Sequence, residues 1–271
     1  MASFSVVNNI ASATAQANLH TTQAGLQKAL NRLSSGYRIN SSGDDAAGLV
    51  VANGYRTDVA IIEQGIRNAN DGLSDLQIKD GAMSNIATLL DRLATLATQA
   101  ASGTTSLESR TTLNDEFKDV VDEIGREADV ARLTAAGTAT ETSFDVYVSQ
   151  DHGSITGRIA SVSTGSTSLA IDALNLTSAP TSAVTAVKDA IAALGKAQSK
   201  VGALQNRLQY AISLAQAQAV NIKAGESRIR DANVAEESAN MTRYNILTQS
   251  GVAALAQANQ STSAVLSLLR G

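Results

Sequence analysis

Leucines early in the chain recur at Leu19, Leu26, Leu30 and Leu33, separated by 7, 4 and 3. That spacing keeps them on one face of an α-helix. Gly36 and the Ser41-Ser42-Gly43 cluster interrupt the pattern. Asp44 and Asp45 follow, where carboxylates accept hydrogen bonds from the free N–H groups of a new helix. A second stripe runs through Leu73, Leu76, Met83, Ile86, Leu90, Leu93, Ala97 and Ala100 to Gly103. A third holds Leu113, Phe117, Val120, Ile124 and Ala131 and closes at Gly137.

Between about Thr138 and Pro180 the period changes. Phe144, Val146 and Val148 alternate with Asp145 and Tyr147, as a half-buried strand requires. Asp151-His152-Gly153, Gly157 and Gly165 read as turns, and Leu169 with Ile171 predicts another short strand. The segment reads as a small β-hairpin insert, too small to be stable alone.

The longest stripe comes next, at Val184, Val187, Ile191, Leu194, Gln198, Val201, Gln205, Leu208, Ile212, Ala215, Ala219 and Ile222. Its steps alternate between 3 and 4, which predicts a coiled-coil-like seam. Gln198 and Gln205 fall on that seam, where a polar side chain costs stability and fixes register. Past Gly225, Val252, Leu255, Asn259, Thr262, Leu266 and Leu269 mark a last helix. The fold class that follows is mostly α, a long antiparallel helical bundle or coiled coil with a small β-hairpin insert.

Composition sharpens this picture. Lys plus Arg number 21 and Asp plus Glu 25, a net charge of -4, which argues against a nucleic-acid binder. Cysteine is absent, so disulfides and thiolate metal sites are excluded. No stretch approaches a membrane span. The first basic residue is Lys28, and no cleavable signal is legible before it. A chain of this kind that leaves the cell is expected to use a route without signal cleavage.

The distribution of charge is more telling than its total. Residues 1–27 contain no Asp, Glu, Lys or Arg, and neither do residues 244–269. A helix facing water normally carries charge on its outer side. Each end would span about 40 Å as a helix, and alone each would be marginal. The reading is that the N- and C-terminal helices pair as an inner domain and are enclosed by copies of the same protein. Disordered tails are the alternative, and the regular Leu spacing opposes it.

Catalytic constellations are not legible. Asp44-Asp45 lacks a nearby His and reads as a helix cap, while His20 and His152 have no acidic partner at ligand spacing. Neither a Gly-x-Ser-x-Gly elbow nor a phosphate-cradling glycine loop nor a His-Glu-x-x-His helix appears. No cofactor or metal is expected, and no enzyme activity.

The run Leu30-Asn31-Arg32-Leu33-Ser34-Ser35-Gly36-Tyr37-Arg38-Ile39-Asn40, with Asp44-Asp45-Ala46-Ala47-Gly48-Leu49, resembles the N-terminal signature of bacterial flagellins. Arg67-Asn68-Ala69-Asn70-Asp71-Gly72 through Leu96-Ala97-Thr98-Gln99-Ala100 continues the likeness. Leu204-Gln205-Asn206-Arg207-Leu208, Glu226-Ser227-Arg228-Ile229-Arg230-Asp231, Ala256-Gln257-Ala258-Asn259-Gln260 and Val265-Leu266-Ser267-Leu268-Leu269 are similar to the C-terminal one. Ser261-Thr262-Ser263 departs from the family where Pro is common, and Ala17 where Arg is common.

The resemblance implies a minimal flagellin with little central variable region. Residues 1–43 would form the inner-domain N-terminal helix and linker. Residues 44–227 would be the outer-domain helical bundle, with the β insert at about 138–180, and residues 228–271 the inner-domain C-terminal helix. It implies a subunit that polymerises into the extracellular filament and transmits motor torque, exported by the flagellar type III apparatus. A hook–filament junction protein of the same export system is the alternative. Implied partners are other copies, an export chaperone, and cap and junction proteins, with no nucleic acid or membrane. Leu19, Leu26, Leu30, Leu33, Leu255, Leu266 and Leu269 are the expected polymerisation interface. The family's contact with the host Toll-like receptor for flagellin would fall on Arg92, Leu96 and Glu116.

Overall fold

The computed structural model describes residues 9–134, 141–149, 153–165 and 169–268, with the side chains of 149 and 262–268 outside that description. Five helices are found among the described residues: α1 Ile10–Ser35, α2 Ala46–Ala101, α3 Leu107–Val130, α4 Pro180–Arg230 and α5 Val234–Leu268. Between α3 and α4 lie strands β1 Glu141–Ser149 and β2 Gly153–Ala160. The mostly helical fold with one small hairpin is as the periodicity predicts.

The chain divides into two compact units, residues 1–58 with 221–271, and residues 59–220. The second unit holds most of the core. Leu76, Met83, Ile86, Leu90, Leu93, Leu96 and Ala100 on α2 are buried, as are Phe117, Val121, Ile124 and Ala128 on α3. Burying a side chain of the Leu or Phe class contributes about 1.5–3 kcal/mol, so this stripe holds the bundle together. Asn85 donates to Glu127 and Arg92 to Glu116, so α3 runs back along α2. Ser106 caps α3 by accepting the N–H of Ser109, and the helix ends at Val130 rather than continuing to Gly137, which lies outside the described residues.

β1 and β2 pair antiparallel, with Phe144 opposite Gly157 and Val146 opposite Ile155. Phe144, Val146, Val148 and Ile159 are buried, while Asp145 and Tyr147 face out, as the alternation predicts. Two further expectations are corrected. Gly157 is inside β2, not in a turn; a β-carbon there would collide with Leu204 of α4, so glycine admits the close approach of strand and helix. Leu169 and Ile171 form no strand. Both are buried in a connection whose N–H groups of Leu169, Ala170 and Ile171 bond to the carbonyls of Ser163, Gly165 and Thr164. Apolar side chains there fill the core from turns.

The seam of α4 is also displaced from its predicted line. The buried positions are Ala183, Val187, Ala190, Leu194, Ala197, Val201, Leu204, Leu208, Ala215 and Ala219. Every seventh residue from Val187 to Ala215 matches, but the intervening ones are Ala190, Ala197 and Leu204. Gln198 and Gln205 flank the seam half-buried and do not occupy it. Small alanines pack closely on that side, so no polar side chain is forced into the core. The helix also passes through Gly225 without breaking.

Candidate assembly interface

Unit one is built on α1 and α5, which pack against one another. Asn9 caps α1 by accepting the N–H of Ser12 at 3.0 Å. Gly36 ends the helix at φ +75°, a left-handed conformation that glycine adopts without strain, and its N–H bonds to the carbonyl of Arg32. Asn233 begins α5, its side chain accepting the N–H of Ala235, and Glu236 and Glu237 stand in the first turn, where the helix dipole favours acids.

Few residues of this pair are fully covered. Ala29 is the buried residue of α1, and Glu237 on α5 is 7% exposed. Leu19, Leu26 and Leu33, with Leu255 on α5, are half-buried. Leu30 faces away, at 45% exposed. Leu266 lies within α5 but its side chain is outside the described residues, as is Leu269. Ile10 on α1 is 67% exposed, and on α5 Ile246 is 61% and Val252 53% exposed. These faces carry apolar and neutral polar groups and no charge, over the two segments that the sequence leaves uncharged.

The linkers beside α1 and α5 are clasped together. Tyr37 and Asp231 form an antiparallel bridge, with the N–H of Arg38 donating to the carbonyl of Arg230 and that of Ala232 to the carbonyl of Gly36. The Arg230 guanidinium lies 4.2 Å from the centroid of the Tyr37 ring, within cation–π range. Arg38 donates to the carbonyl of Ile229 at 2.9 Å. The sequence marks the break after Gly36 but places the second at Gly225, ahead of the true one at Asp231, and nothing in its spacing announces that the two linkers pair.

Asp45 and Asp44 divide the work expected of both. Asp45 caps α2, its Oδ1 accepting the N–H of Gly48 at 2.9 Å. Asp44 instead closes the turn before the helix, accepting from the N–H groups of Asn40 and Ser41 and from the Ser41 hydroxyl, and pairing with Lys28 at 2.7 Å. The Lys28 ammonium, then the Ser41 and Asn40 donors, hold its carboxyl well below the ordinary carboxylate range. His20 is exposed on α1 and His152 lies outside the described residues.

In unit two, Arg92 on α2 and Glu116 on α3 form an exposed ion pair, with Arg92 Nε 3.0 Å from Glu116 Oε1. Leu96 lies one turn further along α2 and is 1% exposed, so its side chain belongs to the core.

The N-terminal helical region of bacterial flagellin matches residues 6–135, and the C-terminal helical region matches residues 184–269. A flagellin of Halalkalibacterium halodurans is 35% identical over 97% of this chain and 98% of its own length. The flagellar filament 33 kDa core protein of Treponema phagedenis is 34% identical over 97% and 99%. Among solved structures, a crystal structure of Bacillus cereus flagellin is 26% identical, covering 59% of this chain and 94% of that one with a TM-score of 0.48.

Proposed function

Because the chain belongs to the bacterial flagellin family, we propose that its charge-free terminal helices are the surfaces through which copies of it join. The chain is a structural subunit that self-polymerises into the flagellar filament, and it is not an enzyme. No relative or contact favours the hook–filament junction alternative.

The observation that carries the proposal is the outward apolar side of the α1 and α5 pair. Ile10, Ile246 and Val252 lie in the uncharged segments and Leu30 just beyond the first of them, and among the described residues no second layer of this unit covers them. Exposed apolar side chains along a helix pair that carries no charge beside most of them mark a surface for another protein. Leu30 then contacts neighbouring copies directly, whereas Leu19, Leu26, Leu33 and Leu255 act by holding the pair together. The leucine spacing of the sequence assigns Leu266 and Leu269 to the same interface. Residues 1–43 and 228–271 form the filament's inner layer and residues 44–227 the outer one, and the repeated contacts transmit motor torque.

Membership of the family supports the remaining partners as part of the same proposal. The chain travels through the flagellar type III apparatus with a chaperone on its C-terminal helices, joins beneath cap and junction proteins, and is extracellular once assembled. Arg92 and Glu116 present a surface to the host Toll-like receptor for flagellin, over a Leu96 that supports them from below. Substituting Leu30→Asp tests the central reading. Its monomer should keep wild-type helicity by circular dichroism yet form no filaments on seeding; filaments at the normal rate would overturn it.

A further inference from the structure

Four specific contacts join α1, with its cap Asn9, to α5 as rungs of a ladder. Asn9 Nδ2 donates to the carbonyl of Ala258 at 3.1 Å. Leu19 lies over Gly251, where a β-carbon would stand 3.2 Å from Leu19 Cδ1. Tyr244 lies across Gly25, where a β-carbon would stand 2.7 Å from two ring carbons. Arg32 Nη1 meets Glu237 Oε1 at 2.9 Å. As α1 advances from 9 to 32, its partners on α5 recede in step from 258 to 237, so all four belong to a single axial offset.

We propose that these four rungs are a register lock, with Arg32 and Glu237 as its principal positioning residues. The inference rests on the reading that the terminal helices form the assembly surface. It adds that their relative offset is specified, and by which residues. Such specification is required because much of the seam is undiscriminating, although the half-buried Leu26, Leu33 and Leu255 add apolar contact along it. Ser12, Ala15, Thr22 and Thr248, all half-buried, are small or polar, and Ala29 is the apolar residue that is fully buried there. A seam of that kind tolerates a slip of one turn at little cost in buried area.

The rungs make the slip costly. One turn carries Tyr244 from Gly25 to Thr22 or Ala29, where a β-carbon stands in the place of the ring. The same slip parts Arg32 from Glu237 and leaves two mostly covered charges unpaired, the larger penalty. It also accounts for Gly25 and Gly251, since glycine inside a helix costs about 1 kcal/mol relative to alanine. A fixed offset aligns the outward residues of α1 with those of α5 identically in every copy, as a repeating interface demands.

The chain contains no cysteine, so introduced pairs report the offset directly. Leu19→Cys with Gly251→Cys tests the observed register, and Leu19→Cys with Leu255→Cys tests a slip of one turn. Closure within one chain is read by gel mobility in monomer and in filaments. The first pair should close and the second should not. In an Arg32→Met, Glu237→Leu background the ratio of the two should fall about tenfold. Exchanging the charges, Arg32→Glu with Glu237→Arg, should restore it, and Gly25→Ala should lower it without touching any charge.

An unchanged ratio in the Met/Leu background, or no closure of the 19–251 pair in the parent, overturns the lock. A shifted ratio with filaments of normal yield and length upholds the lock and instead removes the terminal helices from the assembly surface.

Discussion

The carbonyl of Val148 occupies the space where a β-carbon on Gly65 would stand. Here the hairpin meets α2 backbone to backbone, and Ala69 and Gly72 continue the small-residue face beneath Val146 and Phe144. Gly65→Ala must lift the strand, because a carbonyl cannot rotate aside as a flexible side chain would. The expected loss is about 1–3 kcal/mol, seen as a lower denaturant midpoint. Gly195→Ala is the control. Nothing lies within 4 Å of its would-be β-carbon, so this substitution should stabilise α4 by about 0.5–1 kcal/mol.

That contact also marks the limit of what the residues announce. Phe144, Val146 and Val148 reveal a strand with one covered face because alternation is local, and the helical stripes are legible for the same reason. Gly157 has two readings, turn or close approach, and only Leu204 standing over it decides between them. Leu169 and Ile171 look like a strand because burial in a turn gives the same apolar pair. Gln198 and Gln205 seem to lie on a seam because alanine is discounted in a hydrophobic pattern, although Ala190 and Ala197 carry the packing. The uncharged ends are plain in the sequence. Their offset is not, because the partners of Arg32 and Gly25 lie over two hundred residues away.

Asn114 shows a buried polar group with a definite task. It is 5% exposed on α3, and its Oδ1 accepts the N–H of Leu176 at 3.0 Å, fixing the connection into α4. Asn114→Ala would strand that N–H in the interior, at a cost of about 1–3 kcal/mol. Hydrogen exchange at Leu176 should accelerate while amides in the centre of α2 keep their protection. Unchanged exchange at Leu176 would mean that another acceptor takes over.

Asp44 predicts a local acid response. Its carboxyl is held below its ordinary range by Lys28 first and by the Ser41 and Asn40 donors after it. A carboxylate whose folded pKa is depressed stabilises the fold above its unfolded pKa of about 3.9. That contribution is lost as pH falls from there through the lower folded value. Protection of the Asn40 and Ser41 amides should therefore be level above about pH 5 and decline below about pH 4. In Asp44→Asn the decline should be largely absent, with weaker protection already at neutral pH. A wild-type profile in that variant would assign the acid response to another group.

Arg92 and Glu116 offer the clearest separation of a surface role from a structural one. Both side chains are about half exposed, and an ion pair in that setting contributes no more than about 1 kcal/mol. Arg92→Ala and Glu116→Ala should leave the thermal midpoint nearly unchanged. Leu96→Ala is different, since truncating a leucine that is 1% exposed costs about 2–5 kcal/mol. Lost signalling in that variant would report a damaged core as readily as a missing contact. The informative measurement is receptor activation by monomeric Arg92→Ala, which should fall by about tenfold or more, as for an arginine anchor at an interface centre. Full activation by a correctly folded Arg92→Ala monomer would remove this surface from receptor recognition and leave the pair as a tie between α2 and α3.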